Sequence, residues 1–199
     1  MAIRYPNGKI YSPEKKIKEK KIKDYSFSNR GKTLEDDIND SNEYYLQHNI
    51  AVIYKKPIPI QVVKVDYPSR SSAVIKEAYY RTPSTTDYNG VFKGKYIDFE
   101  AKETENKTAF PLKNIHLHQI THMEKVSEQS GICFLLVRFS SLDRVFYLPF
   151  EKLNTFWERM NSGGRKSIAL QEFEEHALEI SPKYAPRIDY LQIVNDLYV

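Results

Sequence analysis

Residues 96 to 102, Tyr96-Ile97-Asp98-Phe99-Glu100-Ala101-Lys102, alternate apolar and charged side chains almost without a break. As a β-strand this run presents Ile97, Phe99 and Ala101 to one side and Asp98, Glu100 and Lys102 to the other. One side is then core and the other chemistry. Two carboxylates and an ammonium on one face cost desolvation unless something uses them. A divalent cation facing a phosphate is an economical use; surface charge pairing is the competing reading of the same pattern.

The chain around this strand is long enough, at 199 residues, for one domain with a real core and too short for two full ones. Its longest apolar run, Ile132 to Val137, is far from membrane-spanning length, and no signal-like stretch opens the sequence, so a cytoplasmic, nucleoid-associated protein without membrane contact is expected. The single Cys133 lies inside that run and reads as a buried structural thiol. Charge is unevenly spread. Residues 1 to 32 carry ten Lys/Arg against three acids, net +7, which leaves twenty against twenty-three in the rest. A localised basic segment suits a polyanion, although a solvated tail has the same composition.

Residues 1 to 28 have too little apolar content to fold alone and read as a basic, mobile arm preceding a domain of residues 29 to 199. Thr33-Leu34-Glu35-Asp36 has the shape of a capping signal, and Leu34, Ile38, Tyr45 and Leu46 form a helical stripe to about residue 47. Glu35 suits the positive end of that helix or a metal site. Ile50 to Tyr54 is a short strand. From Lys55 to Arg81 two strand-like runs, 61–67 and 73–80, flank a turn at Pro68 to Ser72, which gives a protruding two-stranded arm. Its Lys56, Lys64, Arg70, Lys76 and Arg81, interleaved with Tyr67, Tyr79 and Tyr80, suit phosphate contact and base stacking. An edge hairpin with a polar face is the alternative.

Further along, the pattern predicts a helix over 114–129, strands over 132–139 and 144–148, a helix over 150–160, and short helices over 167–175 and 188–197. His118 and His122 share a face of the first of these helices, as a metal pair or as a surface feature. The order implies an α/β domain with a mixed central sheet flanked by helices. Asp87 lies thirteen positions before Glu100, and a turn at Asn89-Gly90 with a second at Lys93-Gly94-Lys95 can bring the two together. Mg²⁺ held by such carboxylates neutralises a phosphodiester and activates water, while Lys102 stabilises the developing charge. Glycine-rich dinucleotide and phosphate loops, the serine-esterase elbow and Cys-x-x-Cys are all absent.

Asn29-Arg30-Gly31, Leu34-Glu35-Asp36-Asp37, Ala73 to Tyr79, Ser84-Thr85-Thr86-Asp87-Tyr88-Asn89-Gly90, Tyr96 to Glu103 and Tyr184-Ala185-Pro186-Arg187-Ile188-Asp189-Tyr190 occur in that order. Together they resemble the RecU family of Holliday junction resolvases, from about residue 29 to the C-terminus. The N-terminal arm matches only as a basic, variable segment. The resemblance implies a restriction-endonuclease-like fold, a homodimer, and Mg²⁺-dependent nicking of opposing strands of four-way branched DNA during recombination and repair. It places Thr85, Asp87, Glu100 and Gln119 at the metal, Lys102 at the transition state and Arg30 near DNA phosphates, and makes residues 55 to 81 the stalk that enters the junction centre. Asp98 becomes a supporting residue. A recombinase and a branch-migration motor are the implied protein partners. Two alternatives stand beside this expectation: a non-catalytic strand-annealing protein, and a less selective nuclease of the same fold.

Overall fold

The computed structural model describes residues 33–69, 72–81 and 85–199. The chain divides into two units, Met1–Gly31 and Lys32–Val199, and the fold below is that of the second. The arm expected over residues 1 to 28 therefore lies outside the described residues, as do Arg30 and Arg70.

Helix α1, Leu34–Gln47, begins as its sequence anticipates. The Thr33 backbone N–H donates to Asp36 Oδ2 at 3.1 Å, and Thr33 Oγ1 accepts from the Asp36 N–H at 3.2 Å, so two orphan donors are satisfied reciprocally. The buried stripe is more polar than expected. Ser41 and Asn42 share it with Leu34, Ile38 and Tyr45, whereas Leu46 faces outward. Ser41 Oγ accepts from the Ile188 N–H at 2.9 Å and Asn42 Oδ1 accepts from Tyr190 OH, bonds that tie this helix to the C-terminal segment.

Strands β1 (Val52–Lys55), β4 (Tyr88–Phe92), β5 (Lys95–Thr104), β7 (Ile132–Phe139), β8 (Arg144–Pro149) and β10 (Leu178–Ile180) build one six-stranded sheet in the order β1-β4-β5-β7-β8-β10. The β5–β7 pair is parallel and the other neighbours are antiparallel. Helix α2 (Leu117–Glu128) supplies the crossover between the parallel strands, as parallel pairing demands. Helices α3 (Phe150–Asn161), α4 (Leu170–His176) and α5 (Tyr190–Tyr198) complete the α/β architecture. Strands β2 (Ile60–Ser69) and β3 (Ser72–Tyr80) form a two-stranded sheet of their own, the expected protrusion; β6 (Ala109–Pro111) pairs with β9 (Ser167–Ala169). No helix among the described residues is long and apolar enough to cross a membrane.

The sheet has a core on each face. Ile97, Phe99, Phe134, Leu136 and Tyr147 pack with α1 and α5, while Cys133, Leu135, Val137, Phe146 and Leu148 pack with α2 and α3. Strand β7 is buried on both sides along its whole length, which is why its sequence shows a continuous apolar run. Strand β5 differs. Its Ile97, Phe99 and Ala101 join the first core, and its charged residues face the α2 side.

Three local expectations need correction. Asn89-Gly90 is strand, not turn: Gly90 pairs with Ile53, and a Cβ there would stand 2.1 Å from the Val52 carbonyl oxygen, so this glycine permits close strand approach. The hairpin turns at Lys93 and Gly94, the second of the two expected turns, both at positive φ, in the two-residue geometry that matches strand twist. The helix foreseen from residue 114 starts at Leu117, after a 3₁₀ turn and an extended Ile115. Residues 167 to 169 are strand before they are helix, because Ile168 is buried opposite Phe110. The very short strands β6, β9 and β10 offer too few alternations to be recognised in sequence.

Candidate active site

Strand β5 sets the charged residues side by side on a common face two residues apart, and tertiary packing decides how each is hydrated. Glu100 is fully buried. Its Oε2 accepts the backbone N–H of Asp87 at 3.1 Å, so β4 delivers Asp87 beside Glu100 as the spacing requires. Its Oε1 lies 2.6 Å from Lys102 Nζ, so the ammonium pairs with the buried carboxylate. Burial, reinforced by the contact with Asp87, pushes the Glu100 carboxyl up to about 8, and the Lys102 ammonium opposes the shift only partly. Such a group is poised to exchange a proton for a cation.

Asp98, also fully buried, is the polar hub of the same face. It accepts from Lys56 Nζ at 2.7 Å, from Tyr96 OH at 3.0 Å and from the Thr86 hydroxyl, and His122 Nε2 lies 3.1 Å away. Lys56 Nζ also reaches Thr86 Oγ1 at 3.0 Å, and the Lys56 backbone N–H donates to the Asp87 carbonyl at 2.7 Å. The segment carrying Thr85, Thr86 and Asp87 is thereby held against β5 from two directions. Hydrogen bonding of this completeness is what makes a buried carboxylate tolerable. The alternation flagged Asp98 and puts Tyr96 on its face, but its other partners come from the residue after β1, from the segment before β4 and from α2, none of which sequence spacing could supply.

The remaining expected site residues divide. Thr85 is half-buried, and its hydroxyl donates to the Thr86 carbonyl at 3.2 Å. Gln119 is buried near the start of α2, where its Oε1 accepts the His116 N–H at 2.9 Å, so its carbonyl caps its own helix. Of the histidine pair, His122 is committed to Asp98, while burial, His116 and Lys102 lower the pKa of His118. No cluster of three or more His, Cys, Asp or Glu suited to a metal occurs among the described residues. Glu35 pairs with Lys55 and is the dipole-satisfying acid of α1. Cys133 is a buried thiol pushed up to about 12 by burial, as expected of a structural cysteine.

The donor set nevertheless fits a hard cation. Mg²⁺ takes oxygen ligands, keeps several waters and needs only one or two carboxylates. Glu100 offers a buried carboxylate paired with Lys102, and Asp87, half-buried, adjoins it.

Comparison with known proteins gives the family. The sequence profile of the family described as Recombination protein U matches residues 29–196. The chain belongs to the RecU family. It is 56% identical over 198 residues to proteins named Holliday junction resolvase RecU from Bacillus mycoides (strain KBAB4) and Bacillus cereus (strain AH820), covering 100% of this chain and 99% of each relative. Within the RecU pattern, the segment ending at Tyr190 is structural. Tyr190 is fully buried against Phe99 and Phe134, and Tyr45 OH donates to Asp189 Oδ1 at 3.0 Å.

The basic residues expected to face DNA lie in two settings. Lys64, Lys76 and Arg81 are exposed on or beside the stalk; Lys76 stands 3.7 Å from Asp66, and Arg81 Nη2 donates to Gln61 Oε1 at 3.0 Å. Lys56 turns inward to Asp98 with only 17% of its side chain exposed.

Proposed function

We propose that the chain is a Mg²⁺-dependent endonuclease that resolves four-way DNA junctions by paired nicks, acting as a homodimer. The carrying observation is Glu100: a fully buried carboxylate whose Oε1 contacts Lys102 Nζ at 2.6 Å and whose Oε2 accepts the Asp87 N–H, in a RecU family chain whose relatives are named Holliday junction resolvase.

Asp87 and Glu100 would hold the ion, with Thr85 and Gln119 contributing neutral oxygens. When bound, Mg²⁺ supplies charge neutralisation at the scissile phosphate and a water of lowered pKa. The protein's own residues do the rest. Lys102, 2.6 Å from Glu100 Oε1, would orient the attacking water and stabilise the negative charge that develops at the phosphate. Asp98 and Lys56 keep the Asp87 backbone in register with Glu100, so the two residues are held side by side. A nick leaving a 5′ phosphate and a 3′ hydroxyl can be sealed again. Two sites related by a two-fold axis match the symmetry of a four-way junction, and selectivity resides in branched shape and phosphate geometry.

The test is nicking of a labelled four-way junction with and without Mg²⁺. Wild type nicks only with the metal, whereas Glu100→Gln and Lys102→Ala retain junction binding and lose nicking by a factor of about 10²–10³ or more. Either variant nicking at the normal rate would sink the assignment. Linear duplex at the same salt separates a junction-selective enzyme from a general nuclease of this fold.

A further inference from the structure

A groove of about 610 Å³ opens between the β4–β5 turn and α2, lined by Lys95, Tyr96, His122, Lys125, Gln129 and Ser130 among others. A second groove, of about 510 Å³, continues along α2 and shares His122 and Lys125 with it, adding His118 and Thr121. The linings of both contain no carboxylate. The acids of this helix, Glu124 and Glu128, lie on a different helical face, because at about 100° per residue His118, His122, Lys125 and Gln129 fall on one side and residues 124 and 128 on another. Lys55, Lys56, Lys76, Lys102 and Lys183 each pair with a carboxylate. Lys95 and Lys125 have no ion-pair partner among the described residues, and both are exposed.

The groove is anchored to the candidate site. Tyr96 OH and His122 Nε2, two of its wall residues, both lie on Asp98 Oδ2, at 3.0 and 3.1 Å. Asp98 precedes Glu100 by two residues on the same face of β5, a rise of about 7 Å. An extended polyanion entering the groove and a phosphate at Glu100 can therefore belong to one strand. We propose that this groove binds the sugar-phosphate backbone of the DNA strand next to the cut, with Lys95 and Lys125 as its phosphate contacts.

The inference rests on the nuclease reading above, and the experiment separates the two. Junction binding is measured by anisotropy in EDTA across a series of salt concentrations, for wild type, Lys95→Ala/Lys125→Ala, and the charge-matched control Lys152→Ala/Lys166→Ala, whose lysines are exposed elsewhere on the domain. The groove variant is expected to lower the slope of log K against log [salt] by about 2, one for each lost phosphate contact. The control keeps the wild-type slope, and all three proteins unfold at the same urea concentration. An unchanged slope in the groove variant overturns the proposal, as does an equal fall in the control, which would mean only long-range charge. If wild type binds the junction but does not nick it with Mg²⁺, the nuclease reading fails, and the groove with it as a path to a cut.

Discussion

Strand β2 carries Gln61-Val62-Val63-Lys64-Val65-Asp66-Tyr67 and strand β5 carries Tyr96-Ile97-Asp98-Phe99-Glu100-Ala101-Lys102, two ribbons that mix β-branched or aromatic residues with acids and a lysine. Their environments are opposite. Strand β5 has neighbours on both edges and helices over both faces, so Asp98 and Glu100 are fully buried. The stalk pairs only β2 with β3, and every residue of β3 is exposed, including Val74, Ile75, Tyr79 and Tyr80. Facing is a property of the strand, but chemistry is a property of dehydration. The same carboxylate is exposed at Asp66 and Glu77 and is a buried, proton-holding group at Glu100.

Removing one acid from β5 is the harshest way to break this comparison. Asp98→Ala strips the Lys56 ammonium of its buried partner and leaves the Tyr96 and Thr86 hydroxyls short of an acceptor. Loss of one partner from a buried pair costs about 3–5 kcal/mol, to be read as a lower midpoint in urea unfolding at unchanged slope. An Asp98→Ala protein as stable as wild type would mean that the hub is open to water.

Proton linkage at Glu100 sharpens the contrast with a smaller effect. Without divalent metal, the folded protein keeps a proton on Glu100 until pH about 8, whereas the unfolded chain releases it near the ordinary value of 4.5. The stability from this group is therefore fully present below pH 4.5 and is lost as pH rises through about 8. Cation binding requires the carboxylate, so it displaces that proton at lower pH. Apparent Mg²⁺ affinity should climb about tenfold per unit toward pH 8 and then level. Titration calorimetry at several pH values, in buffers of different ionisation heat, measures both the affinity and the released proton. Glu100→Gln abolishes the slope; a wild-type affinity that stays constant from pH 6 to 8 would show that Glu100 is already ionised.

The contrast also explains how much the sequence disclosed. Strands β5 and β7 were legible because alternation and continuous apolarity report directly on one-sided and two-sided burial. The pair Asp87 and Glu100 was within reach, since a hairpin turning at Lys93-Gly94 can close their separation, although the other expected turn is strand: Asn89-Gly90 reads as a turn pair, and only the position of β1 shows that Gly90 serves close approach. The assignments of Thr85 and Gln119 came from family resemblance, because no periodicity singles them out. The inward turn of Lys56 could not be foreseen. It depends on a bond to Asp98, forty-two residues away, which only the completed sheet brings into range.

The stalk gives the smallest stability change and the clearest functional one. Lys64→Ala and Lys76→Ala remove exposed charges, so stability should stay within about 0.5 kcal/mol of wild type, while each lowers the salt slope of junction binding by about 1 if it contacts phosphate. Excision is the stronger form of the same experiment. The Arg81 N–H donates to the Pro59 carbonyl at 3.0 Å, so the two ends of the ribbon lie side by side and a short Gly/Ser link can replace residues 60 to 80. The six-stranded sheet contains neither β2 nor β3, and the Lys56 and Asp87 contacts lie outside the excised segment. The shortened protein should unfold cooperatively at the wild-type midpoint, keep its Mg²⁺ affinity and nick DNA without distinguishing a four-way junction from linear duplex. Retained junction preference would assign recognition to the domain surface, because an exposed ribbon with no share in the core has only its ligand to justify it.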